Sequence, residues 1–311
     1  MLTPRENLKI FGHREAYEAF LASFHSSRFP HAWVVAGSVG VGKATFVFHM
    51  ARYILSGRQD KNTVFAENDP LHRRIMAKSH GDLWTLGVDQ AREIGVESIR
   101  ELNGILNQTP AEGGWRVVII DGADTLNRNA ANALLKRLEE PPPRTVFFLI
   151  TAFPGRLLPT VRSRCQLITL MPLQEKEIRE VLLSQGFSPP DLLPLDQGSP
   201  GCLMRLMEGE GAQIYTDLQR ILSGDAAAPF IHTYGGEETS YGLIEDLLRN
   251  YLHTHLLKKV EGEKSYFTEN TLEQALKMYE KIDKLFDQCR FAQLDRKATL
   301  TCAFACLENR N

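Results

Sequence analysis

No stretch of this 311-residue chain approaches the roughly 18–20 consecutive apolar residues that a membrane-spanning helix needs. The start, Met1 to Phe11, is charged and has no apolar signal core, so a cytoplasmic protein without a membrane partner is expected. Cysteine is scarce. The five residues Cys165, Cys202, Cys289, Cys302 and Cys306 show neither an even count nor tight spacing, which argues for free thiols rather than a disulfide framework. Net charge is nearly absent too, at −2, so nothing points to a dominant nucleic-acid binder, although a local basic face stays open. Repeats and low-complexity tracts are lacking, which sets solenoids aside. What remains is a chain with 43% hydrophobic residues, suited to two or three soluble globular domains.

Apolar Ala32–Ala36 precedes glycines at 37, 40 and 42, and an apolar-periodic stretch runs from Thr45 to Leu55. This order reads as strand, loop, helix. Val117–Ile120, ending at Asp121, is a second buried-strand pattern; Val146–Ile150 is a third and Leu167–Leu170 a fourth. Between them a helix from about Asn129 to Glu140 is stopped by Pro141, Pro142 and Pro143. Strands alternating with helices in this way predict a parallel sheet covered on both faces. After Pro172 the pattern turns helical: Glu175 to Gln185, a connection through Pro189, Pro190 and Pro194, then a short helix opened by Ser199-Pro200-Gly201. From Thr239 onward apolar residues recur at three and four residue steps, notably from Tyr241 to Leu257 and from Leu272 to Phe286. Those stripes exceed what one small bundle needs and predict an oligomerisation surface.

Gly37-Ser-Val-Gly40-Val-Gly42-Lys43 has phosphate-loop spacing. Glycines let successive amides face a phosphate, the following helix adds its partial positive charge, and Lys43 can reach terminal phosphates. The next residue should carry a magnesium-ligating hydroxyl, but it is Ala44. Thr45 cannot replace it, because one residue along a helix turns a side chain by about 100°. Asp121 has the place of a metal-supporting carboxylate, yet Gly122 follows where a water-activating glutamate is needed, and such a base commonly contributes about 10²–10⁴-fold. Asp124 is three residues too far along and reads as a turn or cap residue. ATP or ADP binding in a degenerate site is therefore expected, and hydrolysis is not.

The run Asn132 to Pro142, a strand, and then Leu158-Pro-Thr-Val-Arg162-Ser163-Arg164-Cys165 closely resemble bacterial clamp-loader subunits of the AAA+ superfamily. Pro30-His31-Ala32, Gly198-Ser-Pro-Gly201 and Leu294-Asp-Arg-Lys297 resemble the same family, so the marks span nearly the whole chain. The resemblance implies an α/β fold: an AAA+ P-loop sheet domain at 1–171, a helical lid at 172–211 and an all-α collar at 212–311. It also implies that Arg164 acts in trans as an arginine finger at a neighbour's ATP, with Arg162 the nearest rival. Gamma or tau and delta subunits, the sliding clamp and primed DNA are the partners it implies, with Arg100 and Lys136 at the DNA backbone. The defects at Ala44 and Gly122 favour a stator over an active gamma- or tau-like motor. A small-molecule kinase, the third reading, leaves the Ser-Arg-Cys run and the helical tail unexplained. The family often carries four zinc-binding cysteines after the phosphate loop; with no cysteine there, no zinc is expected. Trp84 and Trp115 read as core or sheet-edge residues, and Cys165 as a small buried side chain without a catalytic partner.

Overall fold

The computed structural model describes residues 2–58, 65–87, 94–188, 198–267, 270–292 and 294–308, so the connection through Pro189, Pro190 and Pro194 lies outside the described residues. Compactness divides the chain into two units, Met1–Gly186 and Phe187–Asn311.

In the first unit the strands are β1 (Ala32–Ala36), β2 (Leu83–Leu86), β3 (Arg116–Asp121), β4 (Thr145–Thr151) and β5 (Gln166–Thr169). They form one sheet in the order β2-β3-β4-β1-β5, with every pairing parallel. This is the parallel α/β sheet that the alternation of strands and helices in the sequence predicts. The helices are α1 (Arg14–Phe24), α2 (Lys43–Ser56), α3 (Pro70–Met76), α4 (Val96–Leu106), α5 (Arg128–Glu139), α6 (Pro159–Arg162) and α7 (Glu175–Ser184).

The central strands are apolar at successive positions because both of their faces are buried. Trp33, Val35, Val117, Ile119, Phe148 and Ile150 join one core with residues of α1 and α2. Val34, Val118, Ile120, Phe147 and Leu149 join the other with residues of α4 and α5. Two polar contacts tie helix ends to this frame. His31 Nε2 lies 2.8 Å from the Leu138 carbonyl near the end of α5, and Arg116 Nη1 donates to the Leu106 and Gln108 carbonyls at the end of α4. Each contact satisfies carbonyls that a helix terminus leaves without an intrahelical partner. Pro30-His31-Ala32 thereby acquires a physical role as the strap between β1 and α5.

The second unit is helical throughout its described residues: α8 (Pro200–Met207), α9 (Gly211–Leu222), α10 (Ala227–Tyr234), α11 (Glu238–Val260), α12 (Leu272–Ala292) and α13 (Arg296–Glu308). Buried Arg249 stitches α11 to α12. It meets Glu245 and Asp287 at 3.0 Å each, pairs with Asp283, and lies over the Phe286 ring at 5.4 Å. Arg249→Leu strands three carboxylates around an apolar side chain and should cost about 3–5 kcal/mol in urea unfolding. Arg14→Leu, which removes a solvent-exposed pair with Glu18, should leave unfolding unchanged.

A second expectation concerns acid stability. His49 on α2 is buried between Tyr17 and Phe65, its Nδ1 has no hydrogen-bond partner, and burial with Arg52 nearby pushes it down to about 4. Unfolded, it titrates near 6.5. Below that pH the unfolded chain takes a proton that the folded chain refuses, so its contribution is intact above about 6.5 and falls as pH drops toward 4. Over that window the loss should approach about 3 kcal/mol. Across pH 7.5 to 4, the urea midpoint of wild type should fall relative to that of His49→Leu as the solution is acidified.

Candidate functional site

Because every strand of the sheet runs the same way, the segments leaving β1, β3 and β4 gather at one edge. The glycine loop leaves β1 there. Gly37, Gly40 and Gly42 have φ of 153°, 78° and 103°. At Gly37 an added Cβ would stand 2.7 Å from the Leu170 carbonyl oxygen, so only glycine fits between loop and sheet. Lys43, the first residue of α2, donates from Nζ to the Gly37 and Ser38 carbonyls at 2.8 Å each. The lysine thus closes its own loop. Ala44 packs its methyl against the core beside it and offers no hydroxyl.

Asp121 ends β3, and the neighbouring β4 ends at Thr151. The Thr151 hydroxyl donates to Asp124 Oδ1 at 2.5 Å and accepts the Phe153 amide at 2.9 Å. Asp124 sits in a short 3-10 turn, Ala123–Thr125, with its carboxylate engaged by that threonine. Gly122 opens the turn with φ 72° and ψ 45°, and its carbonyl accepts both the Thr125 amide and hydroxyl at 2.8 Å. A glutamate here would need a left-handed backbone as well as a new side chain, which disfavours any residue other than glycine. Two deficits therefore share one edge: no hydroxyl at position 44 and no carboxylate at 122. Among the described residues, no group of three or more His, Cys, Asp and Glu side chains is arranged to hold a metal ion.

One contact on the glycine loop has no signature in the sequence. His13, in the left-handed region just before α1, lies with Nε2 3.0 Å from the Val41 carbonyl inside the loop. Burial lowers its pKa, against the opposing influence of that carbonyl and of Glu177 on α7. Since a carbonyl only accepts, the proton of the neutral ring is on Nε2. A Gly-His pair ahead of an amphipathic helix carries no pattern that would flag this role.

Arg164 belongs to the opposite edge. It lies between α6 and β5, and Gln166, the first residue of β5, pairs with Trp33 near the start of β1. Gly37 is four residues further along, just past the end of β1, roughly 13 Å at the rise of a strand. Arg164 stands beyond Gln166 in the other direction, so the two cannot meet within this chain. Its Nη2 pairs with Glu139 Oε1 at 2.7 Å, and its Nη1 donates to the Thr160 carbonyl at 2.8 Å. The side chain is still 35% exposed. Arg162, at the end of α6, is exposed. Cys165 packs against the core, and burial pushes its thiol up to about 12, which leaves no thiolate at neutral pH.

Arg100 and Lys136 are exposed on α4 and α5, which pack together. Arg100 pairs with Glu97 at 2.5 Å. Arg137, next to Lys136, donates to the Asn103 side chain and carbonyl at 2.9 Å and to Asn107 at 2.6 Å, locking the two helices. Trp84 stands in the edge strand β2, and Trp115, half-buried, packs between Phe24 and Phe29. In mass-spectrometric mapping at pH 8, iodoacetamide should alkylate exposed Cys302 readily while Cys165 stays unmodified until the chain is unfolded.

Residues 12–174 match the family model described as DNA polymerase III, delta subunit. The chain is 35% identical over 216 residues to the DNA polymerase III subunit delta' of Escherichia coli K12, covering 68% of this chain and 64% of that protein. With the delta' subunit of Pseudomonas aeruginosa it shares 34% over 209 residues, or 64% of this chain and 63% of the relative. A DNA polymerase III subunit gamma of Buchnera aphidicola, from Acyrthosiphon pisum, is 31% identical over 176 residues, 56% of this chain and 47% of that one. Each match thus spans less than two thirds of the relative's own length.

Proposed function

This chain belongs to the DNA polymerase III delta-subunit family, in its delta-prime branch, and from that premise we propose that it is the stator of a clamp loader in DNA replication. In this reading it assembles with gamma or tau and delta subunits, supplies Arg164 in trans to a neighbour's ATP, and helps place the sliding clamp on primed DNA in the cytoplasm. The observation that carries the reading is the location of Arg164. It is at the sheet edge opposite the glycine loop, partly exposed, and held by a pair with Glu139 that is itself half exposed.

Such a pair is worth about 0–1 kcal/mol, so releasing the guanidinium toward another subunit is inexpensive. A planar, permanently charged fork suits the equatorial oxygens of a transferring phosphoryl group. The chain's own loop, Gly37 to Lys43 with Asp121 nearby, would hold ATP or ADP without turning it over, since Ala44 and Gly122 supply neither the metal ligand nor the base. ATP hydrolysis by this chain alone is therefore excluded from the reading, although it forms part of a DNA polymerase holoenzyme.

We assign the AAA+ sheet to 1–171, the lid to 172–211 and the collar to 212–311. Exposed Leu257 and Val260 on α11 and Leu272 and Leu276 on α12 support assembly through the collar. Arg100 and Lys136 would touch DNA phosphates without reading bases. No helix among the described residues is long and apolar enough to cross a membrane. The alternative, an active gamma-like motor, draws on the 31% identity to a gamma subunit and predicts that the isolated chain hydrolyses ATP.

ATPase assays on the complex reconstituted with motor and delta subunits, clamp and primed DNA decide between them. Arg164→Ala should assemble normally yet slow clamp-dependent hydrolysis; a finger can be worth about 10³–10⁵ at one site, so the fall is partial unless the sites fire in obligatory order. Arg164→Lys should rescue poorly. Lys43→Ala should leave turnover unchanged. A large loss for Lys43→Ala with none for Arg164→Ala overturns the stator reading.

A further inference from the structure

The helical unit contains a cleft of about 600 Å³ between α9 and α11, within the range of about 300–1,000 Å³ that small-molecule sites occupy. Its walls are two helix faces. Thr216, Arg220 and Ser223 fall on one face of α9, and Tyr251, His255 and Lys258 on one face of α11. Packed helices ordinarily bury apolar side chains at such positions, as α9 does with Ile214 and Leu218 and α11 with Leu248 and Leu252. Here the stripe is polar instead.

His255 is the informative member. Its Nδ1 accepts the Tyr266 amide at 2.9 Å, which fixes the ring's orientation, and the Tyr251 ring packs against it at 4.3 Å between centroids with the planes tilted by 56°. With Nδ1 accepting, the proton of the neutral ring is on Nε2. Burial and Lys258 both lower its pKa, so the ring stays neutral and Nε2–H serves as a fixed donor.

Lys258 lies three residues on along the same face. Across the cleft, Arg220 is 67% exposed and only 3.7 Å from Asp217, whose two oxygens already accept from Gln213 at 3.0 Å and Tyr234 at 3.1 Å. Two cations and an imidazole thus line the cleft from facing helices. The hydroxyls of Thr216, Ser223 and Thr254 spend their protons on carbonyls of their own helices, at 2.8–2.9 Å, which leaves oxygen lone pairs as acceptors along the walls. Asp225 adds a carboxylate at the rim.

We propose that this cleft binds a phosphorylated polyol of sugar-phosphate size, its phosphate held by Lys258, Arg220 and His255 Nε2–H, and its hydroxyls by Asp225 and the threonine and serine oxygens. A phosphate matches cationic donors carrying N–H groups, and a carboxylate beside it matches vicinal hydroxyls. Bare phosphate would leave the acceptor half of the lining unused. The site is separate from the glycine loop, since it draws every residue from the helical unit.

Isothermal titration of the full chain with ribose 5-phosphate, inorganic phosphate and ribose tests this. Ribose 5-phosphate should bind at one saturable site and shift the His255 Cε1–H resonance, inorganic phosphate should bind at least about tenfold more weakly, and ribose should give no heat. Lys258→Met should weaken ribose 5-phosphate by about tenfold or more with unchanged far-UV dichroism, and Arg220→Met, at a more exposed position, provides the same reading should Lys258→Met fold poorly. Lys43→Met should change nothing. Absence of saturable binding, equal affinity for inorganic phosphate, indifference to both cleft variants, or loss of binding in Lys43→Met would each overturn the proposal.

Discussion

Parallel pairing of five strands is the constraint from which the chemistry of the first unit follows. With every strand pointing one way, the sheet acquires two unlike edges. One receives the ends of β1, β3 and β4, and with them the glycine loop, Asp121 and Thr151. The other receives the ends of α4 and α5, the His31 and Arg116 contacts that cap them, and the turn that carries Arg164. No side chain is long enough to join these edges. The glycine loop and Arg164, at opposite ends of one sheet, cannot act together within this chain, and the proposed reading has the arginine serve a neighbour instead.

At the loop edge, the missing groups are not simple vacancies. Ala44 contributes its methyl to the core, and Gly122 holds a left-handed turn whose carbonyl is used twice by Thr125. Asp124, the one carboxylate nearby on that turn, is hydrogen-bonded to Thr151 rather than standing at the strand end. The local backbone has thus settled around the absence of a base. Regaining one by a lone substitution at 122 would place a side chain on a left-handed backbone that glycine alone adopts without strain.

Much of this fold was legible because its strands are short apolar runs broken by strong punctuation. The inner positions of β1, β3 and β4 are buried on both faces, so apolar residues suit them, and Pro141 to Pro143 end α5 without ambiguity. β2 was not legible: Leu83–Leu86 is an edge strand, half-buried at each position, and four residues of mixed polarity fit a loop equally well. α10 is similarly obscure, with Pro229 inside its eight residues. At the candidate site, local spacing conveyed the loop and the defects at 44 and 122. It could not convey the pairs His13 with Val41, Asp124 with Thr151, or Arg164 with Glu139, each joining residues at least 25 positions apart through the fold.

In the proposed reading, the last of these pairs bears on how the finger would be kept ready. A guanidinium left free at a surface samples many rotamers, and ordering it at an interface costs side-chain entropy. Thr160 and Glu139 reduce that cost by holding Arg164 in one place beforehand. They hold it loosely, however, because both partners remain partly exposed and water competes for the same hydrogen bonds. The balance would shift once a neighbouring phosphate displaced water from the arginine, since charge interactions strengthen as solvent leaves. A pair weak in solution and easily exchanged at an interface is what a residue serving another subunit requires. A deeply buried ion pair such as that of Arg249 with Glu245, Asp283 and Asp287 could not be given up so cheaply.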